Sequence, residues 1–277
     1  MKKLLLILLL PISVLAQNFD FDRRLVLPRA LSLAGCANPR ISMDESLYYN
    51  PASSAHTKMF SSEMSYGWNH ISGMPARVDN YSFSALDTSS EFFGGGIAFV
   101  DHSISGIGSE WEIKGLVNRT IFKNRVGIGV GLNYLKLRHY EIKDSIFNVT
   151  LGTLILASKG LNFGIVGYNL IKDRTYNIST ASVALSTRYA FLEFFAVNLD
   201  FTHKFDKKYT IAGALESLYK SGIMINVSVL RDQQYANTSW GAGIGFIAPK
   251  VSFIYGTLNS LTPPWSFRHS LSFRLFM

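Results

Sequence analysis

The stretch from Arg125 to Tyr134, RVGIGVGLNY, constrains the fold more than any other part of the chain. Apolar residues alternate in it with small or polar ones: Val126, Ile128, Val130, Leu132 and Tyr134 against Gly127, Gly129, Gly131 and Asn133. Successive side chains of a β-strand point to opposite faces, so this segment predicts a strand with one apolar face and one nearly bare face. The same period of two recurs through most of the chain after about residue 59.

The composition limits where the apolar residues can go. The chain has 277 residues, of which 48% are hydrophobic and only 17% are charged, whereas about 25% of a typical soluble domain is charged. No run approaches the ~18 apolar residues of a membrane-spanning helix. The apolar side chains must therefore either form a core or face lipid from strands.

Charge and cysteine content argue against several functions. The net charge is +8, but the basic residues are scattered and form no stripe interleaved with aromatic rings, so no nucleic-acid partner is expected. The single cysteine, Cys36, excludes an intrachain disulfide and a zinc site built from cysteines.

Residues 1–16 have the organisation of a secretory signal peptide. Lys2 and Lys3 form the basic start, residues 4–10 the apolar core, and Val14-Leu15-Ala16 a cleavage site of small residues. The apolar core is too short to span a bilayer, so we expect export rather than a membrane anchor.

A second motif matches a processing site in its residues but not in its sequence context. Residues 33–36, LAGC, are similar to the site at which bacterial lipoproteins are cut and acylated. Arg23, Arg24 and Arg29 interrupt the apolar run that such a site requires, and a complete signal already precedes it. We therefore interpret Cys36 as a small buried side chain.

Residues 17–58 lack the period of two. They contain, in this order before the first predicted strand, Arg29-Ala30, Ala34-Gly35, Asp44-Glu45 and Asn50-Pro51-Ala52. In this arrangement the chain resembles outer-membrane barrels of the FadL-like type, the long-chain fatty acid transporters, and the related PorV and PorQ proteins. The resemblance implies that residues 17–58 form a hatch, or plug, folded into the barrel lumen from the periplasmic side. It identifies as the hatch motif Arg29, Gly35, Asp44, Asn50, Pro51 and Ala52.

The motif departs from the family pattern in two places. Only Gly35 stands where the family has several glycines, and Ser53 replaces the common glycine after Asn-Pro-Ala. Elementary chemistry still gives the motif a role, because Pro51 fixes its own φ and favours an extended Asn50. The Asn50 side chain can then bond nearby backbone and fix the corner from which the first strand leaves. We favour this structural corner over a ligand contact.

Segments with a period of two number about fourteen, an even count within the range of bacterial outer-membrane barrels. Most approach the ~9–11 residues that a tilted strand needs to cross a bilayer. Their predicted spans are 60–68, 78–86, 92–100, 110–118, 126–136, 147–156, 161–169, 181–189, 194–203, 208–215, 222–230, 239–247, 251–257 and 267–276. Residues 59–277 are therefore predicted to form an all-β transmembrane antiparallel β-barrel, with apolar residues facing lipid and small or polar residues facing the lumen.

The connections and the aromatic residues fit such a barrel. Long polar connections are predicted near residues 70, 101, 136, 170, 231 and 258, and tight ones near 157, 190 and 249. An even strand count keeps both termini on one side, which we expect to be the periplasm. Aromatic residues near strand ends predict interfacial girdles: Trp68, Tyr81, Trp111, Tyr134, Tyr189, Trp240, Tyr255 and Trp265. Core aromatics of a soluble sandwich are the alternative interpretation.

The carboxyl end, SLSFRLFM, places Phe273, Leu275 and Met277 at alternate positions. It resembles the terminal-strand signal recognised by the barrel-assembly machinery, although that signal prefers a final aromatic residue and here Phe276 comes one position earlier. The expected partners in a Gram-negative cell are therefore outer-membrane lipid and the barrel-assembly machinery.

The sequence predicts no catalytic, metal or cofactor site. The glycine repeats at residues 127–131 and 241–245 lie within strands, whereas a phosphate-binding loop needs a strand-to-helix turn. The six histidines show no metal spacing, and no serine lies in a nucleophile elbow. We predict a non-enzymatic protein without a cofactor, and keep an outer-membrane enzyme with scattered catalytic residues as a third reading.

Nine charged residues fall on faces predicted to line the lumen: Glu63, Glu112, Lys114, Arg188, Asp200, Lys204, Glu216, Arg268 and Arg274. Both signs occur, and buried charges need partners. We therefore predict ion pairs that pin the plug and brace the wall, in preference to a charge-selective pore lining.

Besides that enzyme, two functions compete. Resemblance to PorV and PorQ implies an accessory or scaffold barrel of protein secretion, with components of the secretion system as partners. Resemblance to the FadL-like transporters implies a diffusion channel for a hydrophobic ligand, in which the hatch shifts and substrate leaves through a gap in the wall. The predicted loops of about ten residues are ordinary connectors, so the sequence favours the scaffold. An apolar tunnel past Asn50 to a kink in the wall would reverse that preference.

Overall fold

The structure, a computed structural model, describes residues 27–72, 77–106, 108–139, 142–171, 180–192, 194–205, 208–233, 236–263 and 265–277. The predicted signal peptide, residues 1–16, and the first part of the predicted hatch, residues 17–26, lie outside the described residues. The name plug is used below for residues 27–58.

The described residues after the plug form fourteen strands that close into one antiparallel barrel, as the sequence predicts. Their bounds are β1 (Phe60–Ile71), β2 (Arg77–Asp87), β3 (Gly94–Ile104), β4 (Gly108–Ile121), β5 (Val126–His139), β6 (Ile142–Ser158), β7 (Leu161–Tyr168), β8 (Ser182–Leu192), β9 (Phe195–Lys204), β10 (Lys208–Leu218), β11 (Ile223–Asp232), β12 (Asn237–Ile247), β13 (Val251–Ser260) and β14 (Ser266–Phe276). Each strand pairs with the next, and β1 pairs with β14 from Ser61↔Phe276 to Ile71↔Ser266. Closure gives every described strand two neighbours, although β6 pairs with β7 only from Leu151 to Ser158.

The alternation in sequence becomes two faces in the barrel. On β3, Ala98 and Val100 point inward and are buried, whereas Ile97 and Phe99 point outward and are 57% and 46% exposed. Large apolar side chains are exposed in the same way on the other strands. An apolar belt of this extent is a lipid-facing surface. Among the described residues, no helix is long and apolar enough to cross a membrane.

The barrel has two ends, named here from their connections. The turn end carries residues 88–93, 122–125, 159–160, 194, 219–222 and 248–250. At the opposite end, the loop end, only the connection 169–181 between the described strands β7 and β8 is longer than six residues. The prediction of long connections near residues 70, 101, 136, 231 and 258 is therefore wrong. The strands there continue their hydrogen-bonded ladder instead, and β4, β5 and β6 reach 14, 14 and 17 residues.

The plug fills the lumen at the turn end. It begins with the one-turn helix α1 (Pro28–Ser32), in which proline occupies the first turn, where its missing N–H costs nothing. Two 3₁₀ turns follow, Asp44–Leu47 and Ser53–His56. Helix α1 packs against β11 to β14, and the second 3₁₀ turn packs against β4 to β6. Plug residues such as Leu31 share one buried core with wall residues such as Val100.

Aromatic rings contact one another on the outer face. Toward the loop end, neighbouring centroids lie 5.0 to 6.1 Å apart in a row formed by Tyr81, Tyr66, Trp68, His269 and Tyr255. Trp111 lies 5.6 Å from Tyr134 in the same band. The structure thus places these rings where an interfacial girdle requires them.

Candidate functional site: the plug and the lumen cavity

Arg274, on β14, is the centre of a buried charge cluster. Its guanidinium contacts three carboxylates: Nε lies 3.2 Å from Asp44 Oδ2, and Nη2 lies 3.0 Å from Glu45 Oε1 and 2.8 Å from Glu63 Oε2. Asp44 and Glu45 open the first 3₁₀ turn of the plug, whereas Glu63 belongs to β1. All four side chains are at most 5% exposed.

Glu216, on β10, is the centre of a second and inverse cluster. Its carboxylate contacts three guanidinium groups, at 3.1 Å from Arg29, 3.0 Å from Arg40 and 3.1 Å from Arg188. Arg29 and Arg40 come from the plug, and Arg188 comes from β8. The side chain of Glu216 is 4% exposed.

The formal charges of the two clusters together cancel, because four carboxylates face four guanidinium groups. Glu45 links them electrostatically. Burial by itself would raise the pKa of the Glu45 carboxyl, but Arg274, Arg40 and Arg29 outweigh burial and lower this pKa to about 2. Buried charges are tolerable only when compensated in this way. The arrangement is the one expected of ion pairs that hold a plug to a wall.

The Asn50-Pro51-Ala52 corner is buried against the wall. Asn50 Nδ2 donates to the carbonyl oxygens of Asn38 (2.9 Å) and Thr153 (3.1 Å), and its Oδ1 accepts from the Ala52 N–H at 3.0 Å. Asn118 Nδ2, on β4, donates to the Pro51 carbonyl at 2.8 Å. The Asn50 side chain thus ties two parts of the plug to each other and to β6.

Glycines on the lumen face lie directly against the plug backbone. A Cβ on Gly129 would lie 2.5 Å from the carbonyl carbon of Pro51, and a Cβ on Gly256 would lie 1.9 Å from the carbonyl oxygen of Pro28. Both distances are far inside van der Waals contact, so no larger residue fits without displacement. The lumen face is bare at these positions because the plug occupies the space.

Gly35 turns the plug after α1. Its φ is +86° and that of Ala34 is +51°, in the left-handed region that favours glycine. Cys36 follows and is fully buried in a cluster with Ala212. Burial first, and then the charge of Asp200, raise the pKa of the Cys36 thiol well above its ordinary value. Cys36 is therefore a small buried side chain, as the sequence predicts.

Between the plug and the loop end, the lumen holds a cavity of about 230 Å³. Its lining runs from Gly35 on the plug to Ser260 and Ser266 near the loop end, and most of the lining side chains are polar. Tyr48 and Tyr49 of the plug contribute aromatic surface. The closed half and the hollow half of the lumen thus meet at the plug surface.

The structure distributes the sequence-predicted site residues over these features. Of the nine lumen charges, Glu63, Arg188, Glu216 and Arg274 belong to the two charge clusters, and Glu112, Lys114, Asp200, Lys204 and Arg268 line the cavity. Of the hatch motif, Arg29 and Asp44 join the clusters, Gly35 lies at the cavity floor, and Asn50, Pro51 and Ala52 form the buried corner.

Sequence reasoning missed Arg40, Asn38 and Asn133. Arg40 and Asn38 lie in the plug, where no periodicity assigns a side chain to a face, and both contact β-strand carboxylates. The position of Asn133 on the lumen face could have been predicted from the sequence, because it shares that face of β5 with Gly127, Gly129 and Gly131. Within the described part of the chain, no group of three or more His, Cys, Asp or Glu side chains is placed to hold a metal ion.

Comparison with known proteins gives similarity in fold. No family model matches the chain, and no curated protein matches its sequence. The chain is similar to the solved structure of the CymD monoaromatic hydrocarbon channel, with a TM-score of 0.70 at 10% identity over 92% of this chain and 98% of that one. A FadL homologue from Pseudomonas aeruginosa also reaches 0.70, at 8% identity over 90% and 98% of the two chains.

A third similar structure is the TodX deltaS2S3 mutant monoaromatic hydrocarbon channel, with a TM-score of 0.65 at 7% identity over 90% of this chain and 97% of that one. At such identities the likeness establishes the fold and nothing about ligands. The chain therefore shares the closed β-barrel fold of these structures.

Proposed function

We propose that this protein is an outer-membrane diffusion channel for small molecules with an apolar body. The observation that carries the proposal is the cavity of about 230 Å³ held inside the barrel directly against the plug. A cavity of about 150 Å³ can accommodate one benzene molecule, so this cavity has room for a single-ring compound. Tyr48, Tyr49 and Tyr168 place aromatic surface on its lining.

The similar structures support this proposal. Two of them are described as monoaromatic hydrocarbon channels, and they share the barrel over 90% or more of this chain. Fold alone does not establish function, but here the barrel also encloses a cavity large enough for a single-ring compound. The sequence favours the accessory barrel of secretion; the cavity and these neighbours favour the channel instead.

The proposal includes a location and an orientation. The chain is exported by its signal peptide and inserted by the barrel-assembly machinery, and the apolar belt lies in outer-membrane lipid. The turn end and the plug face the periplasm, and the loop end faces the outside, so solute enters the cavity from the loop end. The role is non-enzymatic.

The proposed route beyond the cavity is a shift of the plug. Asn50 is fully buried, and the charge clusters span the lumen below the cavity. Between the described strands, register shifts occur only at Leu156/Ser158 and Ala190/Leu192, both beside the turn end. Beside the cavity the wall keeps its ladder except along residues 142–150 of β6, for which the described residues of β7 provide no ladder partner. We take movement of the plug as the route, and the next experiment tests it.

A disulfide test follows from the single native cysteine. Ala212→Cys places a thiol on β10 in the same packed cluster as Cys36 of the plug. The measurement is the initial uptake of a radiolabelled single-ring aromatic alcohol by Gram-negative cells with and without the protein. We expect the protein to raise uptake, oxidation of Ala212→Cys to abolish the increase, and reductant to restore it. The matched control is Ala212→Cys combined with Cys36→Ser, which cannot form the bond.

Two outcomes contradict parts of this proposal. Equal uptake with and without the protein would contradict the proposal that it is a channel. If the oxidised variant, with its disulfide verified on a gel, still gives undiminished uptake, plug movement is contradicted. The channel function itself would still stand.

The accessory barrel is the second candidate, and one observation favours it. Eight paired charges, six of them buried, and wall glycines packed against the plug backbone fix the plug at many points, which suits a scaffold better than a gate. The scaffold function would be supported if the native protein co-purified with secretion components and its presence did not change uptake.

A further inference from the structure

The cavity wall on β4, β5 and β6 is built from two rows of side chains that differ in polarity. Strand register places Glu112, Leu135 and Ile146 side by side in an upper row, and Lys114, Asn133 and Asn148 in a lower row. All six side chains line the cavity. Directly opposite residues on paired strands have Cβ atoms about 5 Å apart, so each row is a continuous surface.

The upper row, nearer the loop end, carries the apolar part of this wall. Leu135 and Ile146 pack with Leu137 in one buried cluster, and are 6% and 8% exposed. Their side chains are held in place by each other, which gives an apolar ligand body a preformed contact surface.

The lower row, nearer the plug, has hydrogen-bonding capacity to spare. Lys114 Nζ donates to Glu112 Oε1 at 2.7 Å and lies 5.5 Å from the centre of the Tyr48 ring. An ammonium has three donors. The half-buried Asn133 side chain lines the cavity, and within the described part of the chain Glu112 Oε2 is buried without a hydrogen-bonding partner.

A hydrocarbon against this row would cover the Asn133 amide and offer neither it nor the remaining N–H donors of Lys114 a hydrogen bond, which is unfavourable. A ligand that carries a hydroxyl or amide group restores those hydrogen bonds while its ring contacts the upper row. The two rows therefore select for a molecule with one apolar and one polar end.

We propose that this wall binds a small amphipathic molecule, a single aromatic ring bearing a hydroxyl or amide group. The polar group contacts Lys114 and Asn133, and the ring contacts Leu135 and Ile146. This inference rests on the proposed channel function and narrows its substrate class from hydrocarbons to substituted aromatics.

Fluorine NMR of the full-length protein in lipid nanodiscs tests the inference. The probes are 4-fluorobenzyl alcohol and 4-fluorotoluene, which have nearly equal size, and protein-free nanodiscs correct for partitioning into lipid. We expect saturable binding of the alcohol and much weaker binding of the toluene. Asn133→Leu should weaken alcohol binding on the order of tenfold, the value of one net hydrogen bond, and strengthen toluene binding.

Two further variants make the result decisive. Thr210→Val removes a hydroxyl from the β10 part of the same cavity and should change neither probe. Asn133→Ala adds no volume, and replaces Asn133→Leu if the latter does not give a heat-modifiable folded barrel. If wild-type protein binds both probes equally, or Asn133 variants change neither, the inference fails and the channel stands. If neither probe binds, the channel proposal fails with it.

Discussion

The two halves of the lumen are built from the same strands but carry different side chains. On β5, Gly127 and Gly129 near the turn end lie against the plug backbone, whereas Asn133 and Leu135 farther along line the cavity. The plug half is close-packed and ion-paired, and the cavity half is hollow and lined mainly by polar groups. One lumen face thus serves two purposes, because glycine appears where backbone must approach and larger residues appear where space is kept.

Removing Arg274 should produce the largest loss of stability. Arg274→Met leaves Asp44, Glu45 and Glu63 buried without their cation, at a cost of about 3–5 kcal/mol. The measurement is urea unfolding in lipid vesicles followed by tryptophan fluorescence. The control is Arg77→Met, which removes an exposed arginine paired with Asp79 on the outer face and should leave the midpoint unchanged. Equal midpoints for the two variants would contradict the role given to the cluster.

Filling the plug contact should have the next largest effect. Gly129→Ala drives a methyl group into Pro51 and should destabilise the protein by about 1–3 kcal/mol. Gly131→Ala is the matched control on the same strand and face, because its Cβ meets Thr150 at an ordinary 3.5 Å. The same unfolding assay measures both. If Gly131→Ala costs as much as Gly129→Ala, contact with the plug is not the reason for the glycine.

Removal of the Asn50 side chain should cost less. Asn50→Ala leaves the carbonyl oxygens of Asn38 and Thr153 without their donor, at a cost of about 1–2 kcal/mol. Asn133→Ala removes an amide that faces the cavity and should be nearly neutral. If Asn133→Ala lowered the unfolding midpoint more than Asn50→Ala, the structural role given to Asn50 would be contradicted.

The smallest expected signal is the reactivity of Cys36. Its thiol is fully buried and its pKa is raised, first by burial, so a maleimide should not label the native protein and should label it fully in urea. Gly129→Ala should give slow labelling without urea, since it loosens the plug. Rapid labelling of the native wild type would show that the plug half is not closed.

Much of the barrel could be read from the sequence because a period of two reports directly which face each side chain takes. Phe195, Val197 and Leu199 alternate with Ala196 and Asn198, and the structure places the first set outside and the second inside. The loop lengths could not be read, because a polar extended segment has the same composition whether or not it pairs. Strand β6 extends to 17 residues for that reason.

In the candidate site, too, the face of a strand residue could be predicted, whereas its partner in the plug could not. Alternation put Glu63, Glu216 and Arg274 on the lumen face, but nothing local could show that each would meet a different part of the plug. Arg40 had no visible role, since the plug has neither period nor regular secondary structure beyond short turns. The partners of Arg40 and Arg274 lie at remote points of the chain.

The sequence by itself determined the strands, their faces and the closed sheet, because side-chain alternation and backbone hydrogen bonding are local properties. Only the tertiary structure decided which glycines lie against the plug, that four carboxylates and four arginines cancel inside the lumen, and that a cavity remains beside them. Those features depend on volumes and charges brought together from distant positions, and Arg29 and Glu216, 187 residues apart, show the distance involved.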